Sequence, residues 1–282
     1  MPTTPLTPTE TRRLLEELEL RPSRKLGQNF LIDGNIVAKS LALAEVAPDE
    51  DVIEVGPGLG TLTRALLTAG ARVHAIERDS RLCSFLRDHL APAFPDRLFL
   101  REDDAVEQPL ANFRPAETGE FKIVANLPYA ISTPWMDAVL KGDRLPVRMV
   151  LMLQRETAER FAADIGTRET GAITLFLQAA FTVERGHRVP RSCFHPQPDV
   201  DSFLLNLKRK TRPHRFSPET RTLVRRCFGQ RRKQIASLLR KFAPEPATIA
   251  WLDRLNAAGL SGRARPEAIP LALWQELDRL MT

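Results

Sequence analysis

Asn126-Leu127-Pro128-Tyr129 puts two hydrogen-bond acceptors, a rigid ring and an aromatic side chain into four consecutive residues. The Asn126 side-chain oxygen and the Leu127 carbonyl can take both N–H groups of a single amino nitrogen. An amine attached to an aromatic ring, such as the exocyclic nitrogen of adenine, is a poor nucleophile because its lone pair is delocalised into the ring. Acceptors on both of its hydrogens favour a more pyramidal nitrogen with an available pair. Pro128 fixes its own φ and restricts Leu127 to an extended conformation, which aims that carbonyl. Tyr129, the only tyrosine in the chain, can stack on a planar base. The chemistry suggested is substitution at an amino nitrogen, with Asn126, Leu127, Pro128 and Tyr129 as the catalytic residues. No strong base is required, since the product amine is acidic while it carries a positive charge.

A second group is suited to binding a cofactor. Glu54, Gly56, Gly58 and Gly60 alternate with other residues between a predicted strand and a predicted helix. Glycines there let the backbone turn sharply and approach a ligand closely. The third glycine comes too early for the G-x-G-x-x-G of a dinucleotide fold, and position 61 is threonine, which argues against a pyrophosphate ligand. Glu77 closes the next strand, 21 residues after Gly56. An acid at that place can accept from both ribose hydroxyls of an adenosine-containing cofactor. Asp103 and Asp104 follow the third strand, and their carboxylates are acceptor-only groups suited to an amino donor.

These residues need a scaffold that brings strand ends together. Residues 51–55, 72–76, 98–100, 122–125 and 148–153 read as strands, and 36–44, 59–68 and 81–90 as helices. That alternation predicts βαβ units and a mostly parallel sheet, whose carboxyl edge is where open α/β folds bind ligands. A hairpin-like pair, 180–183 and 202–207, can add an antiparallel edge. Ahead of this lie an amphipathic helix over 9–20 and a polar loop over 24–31. Beyond residue 210 the pattern becomes helical: Ser217-Pro218-Glu219 is a helix start with proline at its first position, and 221–242, 247–257 and 271–281 follow. The expected fold is α/β, a Rossmann-like sheet with a small all-α C-terminal domain. Its divisions are an N-terminal extension (1–21), a sheet domain (22–210) and a helical domain (211–282).

Composition narrows the partners. The three cysteines (Cys83, Cys193, Cys227) form no C-x-x-C pair, so a disulfide framework or zinc site is not expected and a reducing, cytoplasmic compartment fits. The start lacks the apolar stretch of a signal peptide, and no apolar run reaches the roughly 20 residues that span a bilayer. Net charge is +6, but Lys208 to Lys241 holds 13 Lys/Arg against the single acid Glu219, leaving the rest of the chain net negative. A basic block on an acidic chain points to a polyanion such as nucleic acid. Aromatics are sparse there, so phosphate contact is expected rather than base stacking.

The glycine segment resembles the first motif of Rossmann-like methyltransferases, and Asn126 to Tyr129 resembles the N/D-P-P-Y motif of amino-methyltransferases. Further motifs follow in order: Gly27 to Leu31, Glu77, Asp104-Ala105, Ile131 to Pro134, Gln154-Arg155-Glu156, Phe194-x-Pro196-x-Pro198-x-Val200-x-Ser202, and Phe228 to Ile235. As a set they resemble the ribosomal RNA adenine dimethyltransferases, above all the bacterial small-subunit type. The resemblance implies S-adenosylmethionine (SAM) as cofactor, held by Asn29, Leu31, Gly56, Gly58, Glu77, Asp104 and Asn126. It implies a target base stacked between Tyr129 and Phe194, with His195 a loop residue. The implied substrate is a pair of adjacent adenosines in the 3′-terminal hairpin loop of 16S rRNA, in the small subunit or its precursor. Arg225, Arg226, Arg231, Arg232 and Lys233 would hold surrounding rRNA. A monomer without metal or membrane attachment is expected. Two related readings stay open: a large-subunit rRNA methyltransferase of the macrolide-resistance type, disfavoured by Gly27 and Leu127, and an assembly factor acting mainly by binding.

Overall fold

The computed structural model describes residues 6–23, 27–113 and 119–281; the first five residues, and Arg24 to Leu26 of the expected polar loop, lie outside them. Strands are β1 (Phe30–Leu31), β2 (Asp51–Val55), β3 (Arg72–Glu77), β4 (Leu98–Glu102), β5 (Phe121–Asn126), β6 (Arg148–Gln154), β7 (Phe181–Val189), β8 (Phe194–His195) and β9 (Ser202–Arg209). Helices are α1 (Pro8–Glu17), α2 (Gly34–Ala44), α3 (Thr61–Thr68), α4 (Ser80–His89), α5 (Ser132–Lys141), α6 (Arg155–Ala162), α7 (Ala172–Ala180), α8 (Pro218–Phe228), α9 (Ile235–Phe242), α10 (Glu245–Ala257) and α11 (Leu271–Met281).

The chain forms two compact units, residues 1–158 with 183–209, and residues 159–182 with 210–282. The first holds a seven-stranded sheet in the order β4-β3-β2-β5-β6-β9-β7. From β4 to β6 all neighbours are parallel, and β9 returns antiparallel to β6. This is the Rossmann-like α/β fold with an added antiparallel strand. The central strands are apolar on both faces: Val52, Val73, Val124 and Val150 join one core, while the alternate residues Ile53, Ile76, Ile123 and Leu151 are buried on the other side. Burial on both faces is what makes such strands read as unbroken apolar runs. Helix starts are marked by Asp33, whose carboxylate accepts from the N–H groups of Asn35 and Ile36, and by Asp79, which accepts from Arg81.

Three features of this unit differ from the sequence reading. Phe30-Leu31, expected in a loop, pairs antiparallel with Phe194-His195, so His195 too lies on a short strand. Neither stretch is long enough to show alternation by itself. The N-terminal extension is part of the core, with Leu6, Leu14, Leu15 and Leu20 each under one tenth exposed. Helix α5 has no counterpart among the expected elements; Pro134 lies in its first turn, where proline is tolerated.

The second unit is helical and includes residues 159–182, which lie inside the expected sheet domain of 22–210. Helix α7 is apolar almost all round, and Leu175, Phe176 and Leu177 are buried. It packs beside α8 and α11, over a core that includes Val224, Leu239, Trp251 and Trp274. Residues 221–242 are two helices, not the one expected. Gly229 caps α8, and the first N–H groups of α9, at Ile235 and Ala236, are taken by the carbonyls of Ala264 and Gly262 at 2.8 and 3.0 Å. Those long-range bonds replace the intrahelical ones that a continuous helix would make.

Candidate active site

All seven residues expected to bind a cofactor line one cleft in the first unit: Asn29, Leu31, Gly56, Gly58, Glu77, Asp104 and Asn126, joined by Leu127, Pro128 and Tyr129. The cleft encloses about 1060 Å³ including its open mouth. It lies at the carboxyl ends of β2, β3, β4 and β5, where each strand hands over to a turn.

The tetrapeptide forms one wall. The Asn126 Nδ2 donates to the Asn29 carbonyl at 2.9 Å. Only the amide nitrogen can donate, so this bond fixes the amide assignment and leaves Oδ1 as the acceptor. The Leu127 N–H is taken by the Met152 carbonyl at 3.2 Å, tying the turn to β6, and no N–H of the described residues takes the Leu127 carbonyl. Two acceptors are therefore presented from adjacent residues. The glycines belong to this wall as well. A Cβ on Gly56 (φ +68°) would lie 3.2 Å from the Pro128 ring, and one on Gly27 (φ +65°) 3.2 Å from the Tyr129 nitrogen. Only glycine allows both the positive φ and the close approach.

The acids stand at the ends of their strands. Glu77 is 8% exposed and its carboxylate accepts three backbone N–H groups, from Gly58 at 3.1 Å, Arg78 at 2.8 Å and Asp79 at 3.0 Å. The glycine loop and the acid are thus bonded to each other. Burial pushes the Glu77 carboxyl up, against the lowering effect of those three bonds. Asp104 accepts the Val106 N–H at 2.8 Å and pairs with Arg78 at 3.0 Å, while Asp103, which also lines the cleft, pairs with Arg101 at 3.0 Å. An acceptor-rich end beside a close-fitting glycine turn suits a ligand offering hydroxyl and amino hydrogens, as an adenosine does. Ile76, Arg78 and Ala105 also line the cleft. The sequence reading gave them no role, although their positions flanking Glu77 and Asp104 were the available signal.

Glu54, first residue of the glycine motif, is 2% exposed, and its Oε2 finds no partner among the described residues. Burial, and then the nearby Glu77, push its carboxyl up to about 8, offset in part by Thr63. A raised carboxyl means that the native state keeps a proton the unfolded chain has lost. The stability it contributes is full below about 4.5 and is lost as pH rises toward 8. Glu77 acts in the same direction. Thermal melts of Glu54→Gln are expected to show a flatter fall in Tm between pH 5 and 8 than the parent protein, with the variant no less stable at pH 8. An unchanged pH profile would show that Glu54 is ionised when folded.

Phe194 stands apart from the cleft. It pairs with Leu31 across the β1–β8 ladder, is 3% exposed and belongs to the core. It does not line the cleft that Tyr129 lines. The expected second stacking face is therefore not presented in this structure, because a two-residue ladder turns that ring inward. His195, beside it, is half-buried.

The five expected RNA contacts all fall in the helical unit. Arg225, Arg226, Arg232 and Lys233 are exposed, whereas Arg231 is half-buried, 3.6 Å from Glu267 and 5.9 Å from the Phe228 ring centre. Other cations of the basic block serve the fold: Arg221 is 5% exposed and lies 4.2 Å from the Phe176 ring centre, and Arg209 pairs with Glu120 at 2.8 Å. Among the described residues no cluster could hold a metal ion, and no helix is long and apolar enough to cross a membrane.

A sheet of this order, with a glycine turn, strand-end acids and an amine-directed tetrapeptide on its carboxyl edge, defines a Rossmann-like methyltransferase. The sequence model of the ribosomal RNA adenine dimethylases matches residues 20–265, and the chain belongs to that family. It is 58% identical to a ribosomal RNA small subunit methyltransferase A of Opitutus terrae, over 97% of this chain and 98% of that one. It is 40% identical to a protein of the same name from a Geobacillus species, over 98% and 97%. Among solved structures, a dimethyladenosine transferase of Plasmodium falciparum superposes with TM-score 0.73 at 26% identity, covering 88% of this chain and 95% of that one. The 23S rRNA methyltransferase ErmE superposes with TM-score 0.66 at 26% identity, covering 90% and 99%.

Proposed function

We propose that this protein transfers methyl groups from SAM to the N6 amino groups of two adjacent adenosines in the 3′-terminal hairpin loop of 16S rRNA, dimethylating each within the small subunit or its precursor. One observation carries the reading: the Asn126 Oδ1 and the Leu127 carbonyl stand as paired acceptors on the wall of the same cleft that holds Gly58, Glu77 and Asp104. The near full-length relatives named as small-subunit enzymes support the choice of RNA.

When bound, the cofactor supplies an electrophilic methyl group. The chain's own residues do the rest. Glu77 accepts from the ribose hydroxyls, Asp104 from the adenine amino group, and Asn29 and Leu31 close over the ligand. Asn126 and Leu127 hold the two hydrogens of the unmodified amine, and one of these acceptors holds the single hydrogen left after the first transfer, which keeps the lone pair out of the ring and directs it into the cleft. Tyr129 stacks on the base, an interaction that contributes roughly 1–3 kcal/mol. The proton leaves the cationic product amine for solvent, so no side-chain base is needed. Bases in a single-stranded loop are easier to splay out than paired ones, which suits this geometry. Arg225, Arg226, Arg231, Arg232 and Lys233 contact phosphates and give affinity without reading sequence.

Small subunits lacking these methyl groups, incubated with the protein and isotopically labelled SAM, are expected to gain dimethyladenosine at both positions by mass spectrometry. Large-subunit RNA treated in parallel is expected to stay unlabelled. Label confined to large-subunit RNA, or absent from both, would overturn the reading.

A further inference from the structure

Ser202 closes the motif that begins at Phe194, and nothing in the proposed chemistry uses it. It is completely buried, and its hydroxyl lies 2.6 Å from the Tyr129 phenol oxygen. The bond joins residues 73 apart in sequence and follows from strand order. Because β9 runs antiparallel to β6, its first residue, Ser202, pairs with the last residue of β6, Gln154. That is the sheet end where β5 delivers Asn126, paired with Met152. A hydroxyl is thereby set at the one level from which it can reach Tyr129.

The anchor itself is fixed on several sides. Asp201, immediately before Ser202, accepts the Arg155 N–H on its main-chain carbonyl at 3.1 Å. Its carboxylate accepts from the Arg188 side chain at 2.6 Å and from the Arg191 N–H at 3.0 Å. Strand β6's exit, strand β7 and the turn leading into Phe194 are therefore all tied to one dipeptide. Tyr129 is held at both ends of the residue: its backbone lies against Gly27, and its phenol is bonded to a buried partner. A ring tethered in this way keeps a single orientation, whereas a phenylalanine in its place would be free to tilt.

We infer that Ser202 is a positioning residue of the active site, holding the plane of Tyr129 through the buried hydroxyl pair so that the stacked adenine presents its amino group to Asn126 and Leu127. The inference rests on the function proposed above. A reacting amine must meet its acceptors within a few tenths of an ångström, so a tilt of the platform acts on the chemical step more than on RNA binding. Removing either hydroxyl should cost about one buried hydrogen bond of orientation, roughly a tenfold effect on rate.

The test is a double-mutant cycle with Ser202→Ala and Tyr129→Phe, assayed on unmethylated small subunits. Each single variant is expected to lower kcat about tenfold with KM for the subunit within about twofold, and the double variant to be no slower than either single. Losses that multiply in the double variant, or that appear in KM alone, would overturn the inference. Since Tyr129 is the only tyrosine, ζ-13C-tyrosine labelling gives one resonance that reports the hydroxyl pair without any assay of activity. Ser202→Ala is expected to move that resonance; an unmoved signal in a folded variant would also overturn the inference. Should Ser202→Ala fail to fold, Tyr129→Phe alone decides, and unchanged kcat in that variant refutes the tether. Failure of the proposed function looks different, because the parent protein would then methylate no adenosine while the tyrosine resonance still responded to Ser202→Ala.

Discussion

Asn126→Ala is expected to lower kcat for adenosine methylation about 10²–10³-fold, the scale seen when one preorganised hydrogen-bonding group is removed from a reacting centre. The Asn126 side chain sits where β5 ends and lines the cleft, with Nδ2 fixed on the Asn29 carbonyl at 2.9 Å and Oδ1 left as the acceptor. Alanine removes the acceptor and leaves the amine with only the Leu127 carbonyl. One N–H is then unpaired, and the nitrogen relaxes toward the flat, conjugated form that does not attack. The structural loss is smaller: one partly buried hydrogen bond, about 1 kcal/mol, or a few degrees in Tm. Asn126→Asp sharpens the test. It keeps an acceptor but sets a carboxylate oxygen against the Asn29 carbonyl, so the group should swing away and much of the activity should be lost. Single-turnover methyl transfer, with a thermal melt of each variant, checks both; kcat within about threefold of the parent for Asn126→Ala would remove Asn126 from the mechanism.

Glu77→Gln should weaken SAM binding on the order of 10²-fold, since hydrogen bonds to a charged acceptor are worth about 1.5–3 kcal/mol and two ribose hydroxyls are involved. The carboxylate is already oriented by the N–H groups of Gly58, Arg78 and Asp79. Glutamine can keep an oxygen on Arg78 and Asp79, but its NH₂ then faces the Gly58 N–H, donor against donor. The glycine turn loses its link to β3 along with the ribose acceptor. Binding of hydroxyl donors favours the ionised acid, and burial raises the Glu77 carboxyl above its ordinary range. SAM affinity of the parent protein should therefore improve as pH rises through that titration, and in Glu77→Gln this dependence should disappear. Calorimetric titration with SAM across the pH range reads both effects. A Kd unchanged by the substitution would place the ribose elsewhere.

Much of the site was legible because it is built from local rules. Strands β2, β3, β5 and β6 are apolar runs flanked by turn residues, and the sequence places each within about two residues of its observed bounds. The glycine turn, Glu77, Asp104 and Asn126 stand where such strands end, so finding the strands located the chemistry. What failed to read was whatever lacked a local signature. Helix α7, apolar almost all round, has no periodicity to separate it from a buried strand. Residues 230–234 are good helix formers, and it is Gly229 at the end of α8 together with the carbonyls of Gly262 and Ala264 that stops a continuous helix there.

The sequence by itself determined the class of chemistry, because acceptor types, a glycine turn and an aromatic residue are properties of the residues and of their immediate neighbours. Tertiary structure alone decided how those parts meet. It seated Gly27 and Gly56 against the tetrapeptide, turned Phe194 into the core through the β1–β8 ladder, and brought Ser202 to the Tyr129 hydroxyl. Those contacts depend on strand order and on the antiparallel register of β9 against β6, and register is set by packing across a whole sheet, not by any one segment.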